Sequence, residues 1–296
     1  MMISYAQNFE DVMLWRVLKH VENGFYVDVG ALSPEFDSVT RWFYEQGWHG
    51  INIEPNPEYV GKLNEWRGRD VNLPVAIGES NGVIDINIVS NPGLSTTDPQ
   101  ILAQHVASGF SVRKTTVLLK TLTWVFEHHV PAQQDVHFLK IDVEGGEAAV
   151  IRGLDWSRFR PWVVVAEATV PMSKHESHAE WEPTLLENNY EFAYADGLNR
   201  FYVAREHADL RAGFDYPPNV FDTFVLASQI RAEEKIKALE AVLAEGDNEL
   251  RQDLARLRAA EAQFKQTAMI LEQMERSRSW RLTRPLRLLS NLFLKN

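Results

Sequence analysis

Short apolar runs alternate with segments of helical periodicity over the first two-thirds of the chain. The apolar runs predict strands at residues 25–30, 50–54, 71–77, 83–89, 115–121, 136–141 and 162–166. The periodic segments predict helices at 38–46, 57–67, 96–107, 124–129, 147–152 and 181–188, and a closing hairpin from 191–194 and 200–204. Ser38 is the expected N-cap of the first helix. Apolar strands separated by helices indicate an α/β fold, in which a mostly parallel sheet has helices on both faces.

The pattern changes near residue 229, where glycine and proline become rare. Apolar residues then recur every seven positions, at Ile236, Leu243, Leu250, Leu257, Phe264 and Leu271. The companion positions are mixed, because Leu254 and Ala268 are apolar whereas Asp247 and Glu261 are charged. The pattern predicts a long helix with a marginal coiled-coil stripe over residues 229–275, which would join two copies of the chain or bind a glycosyltransferase.

Charge is spread unevenly over the 296 residues, whose net charge is −11. Residues 1–228 carry −14, residues 229–275 carry −3 and residues 276–296 carry +6. We therefore predict a globular domain, a helical segment and a basic amphipathic tail with these boundaries. The acidic domain argues against nucleic-acid binding through bulk charge.

The basic tail, RSRSWRLTRPLRLLSNLFLKN, interleaves arginines with Trp280, Phe293 and several leucines. This composition predicts contact with an anionic membrane surface, and a protein-docking helix or a disordered end are the alternatives. Cysteine is absent, no apolar run is long enough to span a bilayer, and acidic Glu10 and Asp11 stand where a signal peptide would be basic. We expect a cytoplasmic protein, peripheral at the inner face of the membrane.

Carboxylates stand at the ends of four predicted strands, at Asp28, Glu54, Asp142 and Glu167. In an open α/β sheet, ligands bind beyond the carboxyl ends of the strands. Glu54, 26 residues after Asp28, is well placed to accept hydrogen bonds from both ribose hydroxyls of an adenosine. The sequence DVGALS lacks the GxGxxG fingerprint, which disfavours NAD(P) and favours an adenosine ligand without phosphate, such as S-adenosylmethionine. The alternative is that Asp28 only caps a helix and that Glu54 belongs to a polar loop.

Five motifs follow one another along the predicted domain: FYVDVGA, GINIEPNP, PVAIGES, FLKIDVEGGEAAVIRG and DGLNRFYV. Together they resemble the successive motifs of FkbM-type S-adenosylmethionine-dependent methyltransferases. The resemblance implies a Rossmann-like methyltransferase fold and O-methylation of a sugar or similar hydroxyl. It also implies that Asp28 and Gly30 face the methionyl part of the cofactor, Glu54 the ribose, and Ala76 and Ile77 the adenine. The chain departs from the family pattern at Leu32, near which members usually carry a further glycine.

Transfer of a methyl group to a hydroxyl needs a group that removes the hydroxyl proton. The candidates are Asp142, Glu144, Glu167, His175 and His178. Asp142, Glu144 and Glu167 also form a potential Mg²⁺ site, because magnesium prefers oxygen ligands. Against a metal, one of these carboxylates can instead pair with Lys140 or Arg152, or accept backbone N–H groups.

The predicted hairpin supplies a candidate sugar-binding set. Its members are Trp181, Asp196, Asn199, Arg200 and Tyr202, which combine polar groups for hydroxyls with aromatic faces for a sugar ring. The alternative is a well-capped turn around Gly197. The sequence thus favours a methyltransferase acting on a sugar hydroxyl in bacterial surface-polysaccharide or glycolipid synthesis. The main alternative is a catalytically inactive adenosine-binding scaffold that assembles through its coiled coil.

Overall fold

The computed structural model describes residues 1–89, 111–171 and 173–276. The predicted helix at 96–107 and almost all of the basic tail lie outside these residues. The strands are β1 (Met2–Ser4), β2 (Phe25–Val29), β3 (His49–Ile53), β4 (Val71–Leu73), β5 (Val75–Ile77), β6 (Gly82–Val89), β7 (Val112–Lys120), β8 (Phe138–Ile141), β9 (Val163–Glu167), β10 (Tyr190–Ala195), β11 (Asn199–Ala204) and β12 (Phe224–Leu226). The α-helices are α1 (Glu10–Leu18), α2 (Arg41–Glu45), α3 (Pro57–Trp66), α4 (Leu122–His129), α5 (Glu147–Arg152), α6 (Glu182–Glu187) and α7 (Ala227–Arg276). Short 3₁₀ segments lie at His178–Glu180, Arg205–Phe214 and Val220–Asp222.

The main sheet of the described part has seven strands in the order β10-β11-β9-β8-β2-β3-β4. The strands from β9 to β4 are parallel to one another, and β11 runs antiparallel to both of its neighbours. This topology confirms the predicted α/β, Rossmann-like fold, because parallel neighbours require helical crossovers. It also places the carboxyl ends of β2, β3, β8 and β9 along one edge.

Helices cover both faces of the sheet, and side chains of each strand alternate between two hydrophobic cores. In β2, Phe25, Val27 and Val29 pack with α4, α5 and α6. Tyr26 points the other way and packs with α1, α2 and the 3₁₀ segment Arg205–Phe214. Asp28 shares the face of Tyr26, because successive side chains of a strand point to opposite faces.

Pro74 divides the stretch that was predicted as one strand at 71–77. Val71–Leu73 joins the main sheet as β4, whereas Val75–Ile77 pairs with β7 in a separate sheet ordered β5-β7-β6. Proline has no N–H group to donate to a strand ladder, so the chain changes sheets at that residue. The second sheet forms a wall beside the carboxyl end of β3.

Two predictions about helices were wrong or incomplete. Helix α1 was not predicted, although it packs seven buried residues into the domain. The predicted N-cap Ser38 is also incorrect, because α2 begins at Arg41 and its N-cap is Thr40. The Thr40 hydroxyl donates to Asp28, while Ser38 accepts a hydrogen bond from buried Arg67.

By internal contacts the chain divides into Met1–Gln229 and Ile230–Asn296. Helix α7 is continuous over 50 residues, and the apolar residues of its seven-residue repeat are exposed. The long helix is therefore confirmed, and the coiled coil stays a prediction. Within the described ranges, no helix is both long and apolar enough to cross a membrane.

Candidate active site

The site is built where the turn after β2 crosses the loop after β8. Gly30 has φ +80°, and a Cβ atom at this position would lie 1.7 Å from the backbone oxygen of Asp142. Only glycine permits this close approach of two backbones. Leu32 takes a left-handed φ of +47° nearby, so a leucine here adopts the backbone conformation that glycine adopts most easily.

Two cavities meet at this crossing, and both are lined by Gly30, Pro55 and Val143. The apolar cavity has a volume of about 300 Å³, and the predicted adenine-facing residues Ala76 and Ile77 form part of its wall. The polar cavity, which we call the acidic chamber, has a volume of about 250 Å³. Its charged and amide side chains are those of Gln7, Glu10, Asp37, Glu54, Lys140, Asp142, Glu144 and Asn199.

Glu54 lines the acidic chamber at the end of β3 and is buried. Its Oε2 accepts the N–H of Leu32 at 3.0 Å, and its Oε1 accepts the N–H of Asn56 at 2.7 Å. Burial raises the pKa of Glu54 to about 7, although these two hydrogen bonds and Lys140 oppose the change. Each carboxylate oxygen retains a second lone pair, so Glu54 can still accept hydrogen bonds from a ligand.

Lys140 is a buried cation in the middle of this edge of the sheet. Its Nζ donates to the Gly30 carbonyl at 2.8 Å and lies 3.4 Å from Asp28 Oδ1 and 3.3 Å from Asp142 Oδ2. Parallel register explains the first ion pair, because Asp28 and Lys140 are direct partners in the β2–β8 ladder. Burial acts to lower the pKa of Lys140, but the two carboxylates outweigh burial and raise the pKa above its ordinary value.

Further carboxyl groups surround Asp142 and hold protons. Burial, with Asp142 and Glu147 nearby, raises the pKa of Glu144 to about 8. Burial and the charge of Asp142 raise the pKa of Glu167 far above its ordinary range. Glu167 lines neither cavity, and its role as a catalytic base stays a prediction. Of the three, Asp142 and Glu144 line the chamber.

The structure does not support the predicted magnesium site. Within residues 1–89, 111–171 and 173–276, no group of three His, Asp or Glu side chains is arranged to hold a metal ion. The ammonium of Lys140 stands beside Asp142, where a metal would have to bind, and Glu167 carries a proton. Both features remove ligand capacity from the carboxylates.

Two chamber residues come from distant parts of the sequence. Asn199, at the start of β11, donates to Glu10 Oε1 at 2.7 Å, and Glu10 is the first residue of α1. Burial raises the pKa of Glu10 to about 7. Asn199 was predicted as a substrate residue, but Glu10 was missed as a site residue. The sequence did contain a signal for it, because the acidic residues Glu10 and Asp11 directly precede apolar residues at helical spacing.

The remaining predicted substrate residues do not form a sugar-binding surface. Trp181 and Tyr202 belong to the hydrophobic core, at 1% and 0% exposure, so neither presents an aromatic face to a ligand. Arg200 pairs with Glu182 at 2.9 Å and donates to the Tyr202 hydroxyl. Asp196 accepts the N–H groups of the hairpin turn, which is the structural alternative raised by the sequence.

The predicted base His178 is also separated from the carboxylates of the chamber. It lies in a 3₁₀ turn, where Nδ1 is 3.7 Å from Glu176 and Nε2 is 3.7 Å from Glu182. Neither His178 nor His175 lines either of the two cavities. The geometry therefore leaves Asp142 and Glu144 as the predicted bases that reach the chamber.

Comparison with known proteins bears on the family of the chain. No curated protein matches the chain. Among solved structures, the chain is similar to a TehB-like SAM-dependent methyltransferase from Corynebacterium glutamicum, with 6% identity, a TM-score of 0.34, and coverage of 65% of this chain and 87% of that one. The methyltransferase FkbM domain matches residues 28–192, which include Gly30, Glu54 and the carboxylates after β8. The chain belongs to the FkbM methyltransferase family.

Proposed function

We propose that this protein is an S-adenosylmethionine-dependent O-methyltransferase that acts on a sugar hydroxyl during polysaccharide or glycolipid assembly. One observation carries the proposal: an apolar cavity and an acidic chamber meet at Gly30, with Glu54 on the chamber wall. A nucleoside with a charged, polar extension needs such a two-part pocket. The family supports methyl transfer, and the oxygen acceptor is our inference from the site.

The residues present fit the cofactor. The apolar cavity, with Ala76 and Ile77 on its wall, suits a purine ring. Glu54 has acceptor capacity for ribose hydroxyls, and the Gly30 backbone lines both cavities. When bound, S-adenosylmethionine supplies an electrophilic methyl group on a sulfonium cation, which the carboxylates of the chamber would stabilise.

The side chains around Lys140 would handle the acceptor proton. A base must lie within hydrogen-bond reach of the hydroxyl, and Asp142 and Glu144 are the carboxylates that combine a place on the chamber wall with a position after β8. Lys140 holds Asp142 through an ion pair at 3.3 Å, and the Gly30 carbonyl accepts a hydrogen bond from Lys140 at 2.8 Å. These two contacts fix the orientation of Asp142, which favours a defined approach of the hydroxyl.

The test is methyl transfer from labelled cofactor to a panel of glycosides, nucleotide sugars and lipid-linked glycans. We expect label on a sugar oxygen with at least one acceptor, and a loss of at least about a hundredfold in kcat for Asp142→Asn with the Tm nearly unchanged. The control Asp209→Asn removes an exposed carboxylate of the 3₁₀ segment Arg205–Phe214, outside both cavities, and should keep full activity. Label on nitrogen, or no transfer to any sugar, would refute the sugar O-methyltransferase proposal.

A further inference from the structure

The acidic chamber extends across more strands than the two that are proposed to hold the cofactor. Residues of five neighbouring strands, or of the turns that follow them, line it: Glu54 after β3, Gly30 after β2, Lys140 on β8, Val165 on β9 and Asn199 on β11. Adjacent strands lie about 4.8 Å apart, so four spacings separate the two ends of the chamber by roughly 19 Å. The cofactor takes the end with Glu54 and Gly30, where its methionyl arm follows its ribose. The end at β9 and β11 lies beyond it.

Glu10 and Asn199 form the wall of this far end. Both residues are buried, and Glu10 Oε1 accepts a hydrogen bond from Asn199 Nδ2 at 2.7 Å. Asn199 is the direct partner of Glu167 in the β9–β11 ladder, which places it three strands away from β2. Gln7 precedes Glu10 by one turn of chain, is exposed, and also lines the chamber. All three chamber residues lie outside residues 28–192, so the family match gives them no role.

The two buried side chains are held in place by the protein itself. Glu10 Oε2 accepts the N–H of Asn8 at 2.9 Å. Asp196 accepts the backbone N–H of Asn199 at 2.6 Å and a side-chain N–H at 3.2 Å. Glu10 and Asp196 thus use both side-chain hydrogens of Asn199, whose Oδ1 keeps capacity to accept from a ligand. The oxygens of Glu10 each keep a second lone pair, so the pair presents fixed hydrogen-bond acceptors.

The distance from this pair to Asp142 fits a single sugar ring. Asp142 follows β8 and Asn199 begins β11, and two strand spacings of about 10 Å separate these strands. A hydrogen bond of about 2.8 Å at each side leaves about 4 Å for the ligand between them. Two hydroxyl groups of one sugar ring are separated by a span of this size. A sugar whose reacting hydroxyl lies at Asp142 can therefore place another hydroxyl at Asn199.

From this arrangement we infer that Gln7, Glu10 and Asn199 form the acceptor subsite, which binds a second hydroxyl of the sugar while the first is methylated beside Asp142. The inference rests on the proposed function and deepens it. It makes a second hydroxyl on the same ring the feature that the protein selects. A site built to hydrogen-bond a hydroxyl disfavours an analogue without it, because the buried polar groups of the site stay unpaired.

The experiment compares the best acceptor of the sugar panel with its monodeoxy analogues, each of which lacks one hydroxyl other than the methylated one. With the full-length wild type and S-adenosylmethionine, kcat/KM for at least one analogue should be lower by at least about tenfold. In Asn199→Ala the same two acceptors should differ by less than about threefold. Calorimetry should give a Kd for S-adenosylmethionine within about twofold of the wild type. A merely structural role of Asn199 would not remove discrimination at one particular hydroxyl.

Ser4→Ala is the matched control for damage to the start of α1. The Ser4 hydroxyl donates to Asp11 Oδ1 at 2.8 Å in the first turn of that helix, and neither residue lines a cavity. This variant should also lower the Tm, but it should keep the discrimination of the wild type against the deoxy analogue.

A second variant tests the subsite without a risk to folding. Gln7 is exposed, so Gln7→Ala should fold as the wild type does. It should raise the KM for the acceptor at least about threefold, because an amide that binds the sugar is lost. The kcat and the Kd for S-adenosylmethionine should stay near the values of the wild type.

Two sets of outcomes separate this inference from the proposed function. If the wild type methylates the sugar and all its monodeoxy analogues equally well, the inference is overturned and the proposed function stands. Unchanged discrimination in Asn199→Ala overturns it too, as does a wild-type acceptor KM in Gln7→Ala. Weaker binding of S-adenosylmethionine in these variants, with discrimination unaltered, assigns this end of the chamber to the methionyl arm instead. If no sugar is methylated, the proposed function fails and the inference fails with it.

Discussion

At the scale of single residues, the site depends on a buried lysine that links three parts of the chain. Lys140 sits in a strand whose other residues are apolar, and its ammonium neutralises Asp28 and Asp142. The sequence showed the carboxylates at the strand ends, because a charge after an apolar run is easy to recognise. It did not show that Lys140 would be central. Lys140 lies beside Asp28 because of the register in which β2 pairs with β8, and neither strand's sequence alone encodes that register.

Replacing Lys140 with methionine should destabilise the domain by about 3–5 kcal/mol, because buried Asp28 loses its counter-ion. Urea unfolding at neutral pH measures this change. The control is Lys114→Met, which breaks an exposed ion pair with Asp85 at 2.8 Å. That variant should lose less than about 1 kcal/mol. Similar losses in the two variants would contradict the central role of Lys140.

The raised pKa of Glu167 predicts a pH dependence of stability. The folded state binds this proton more tightly than the unfolded chain, in which the pKa of Glu167 is near 4.5. The stabilisation is therefore complete below pH 4.5 and is lost as the pH rises toward the pKa of the folded state. Glu10, Glu54 and Glu144 act in the same direction. The Tm should therefore fall as pH rises from about 5 to about 8.

Glu167→Gln keeps the shape of the uncharged carboxyl group but cannot lose a proton, so it should make this fall in Tm shallower. Glu206 provides the control, because its pairing with Arg160 lowers its pKa to about 2. The stabilisation that Glu206 contributes is present above 4.5, its pKa in the unfolded chain, and is lost only as the pH falls toward 2. Glu206→Gln should therefore leave the dependence of Tm on pH unaltered above about pH 5. A wild-type Tm that rises over this range would show that the carboxyl cluster is charged in the folded state.

At the scale of elements, periodicity predicted most of the parallel strands and their helices, because apolar runs and helical repeats are local signals. Pro74 shows the limit, since a proline signals a break but not that the next three residues join another sheet. Helix α1 was missed because its N-cap is Phe9, in a left-handed conformation and without a capping side chain, so the usual start signal is absent. The burial of Glu10 and Asp11 in its first turn depends on hydrogen bonds from outside the helix. Asp11 accepts hydrogen bonds from Ser4 and Tyr5, and Glu10 accepts one from Asn199.

The crossing of two backbones at Gly30 predicts a strong effect of one methyl group. Gly30→Ala should cost about 2–4 kcal/mol, because alanine is strained at φ +80° and its Cβ overlaps the Asp142 carbonyl. Gly61→Ala is the control, since Gly61 lies within α3 and has nothing within 4 Å of an added Cβ. It should stabilise the protein by about 0.5–1 kcal/mol in the same denaturation assay. A tolerated Gly30→Ala would mean that the two loops are not held together as described.

At the scale of the whole molecule, we propose that the exposed stripe of α7 associates chains and that the basic tail contacts an anionic membrane. Leu250 and Leu257 are 69% and 68% exposed, which favours a partner along this stripe. Leu250→Glu with Leu257→Glu should abolish association in analytical ultracentrifugation, whereas Gln252→Glu should not. A wild type that sediments as a monomer at all concentrations would exclude self-association.

Deleting residues 276–296 should abolish co-sedimentation with anionic vesicles, because this segment carries +6 and each basic residue near such a surface contributes about 1 kcal/mol. Rising salt should weaken binding of the intact chain. Cofactor binding should survive the deletion, since the tail lies outside the methyltransferase domain in sequence. Equal sedimentation of both chains, or indifference to lipid charge, would assign the tail to a protein partner.

The central claim is that the two cavities that meet at Gly30 hold S-adenosylmethionine, with Glu54 on the ribose. Calorimetric titration of the full chain with this cofactor tests the claim without knowledge of the acceptor. Glu54→Ala should weaken binding by about 1.5–3 kcal/mol, because the hydrogen-bond acceptor for the ribose hydroxyls is lost. Ala76→Phe, which fills the apolar cavity, should weaken binding even if Glu54→Ala perturbs its loop, and exposed Glu58→Gln should have no effect. The account predicts that the wild type binds the cofactor and that both site variants bind it more weakly. No binding by the wild type, or equal binding by all four proteins, would contradict the account.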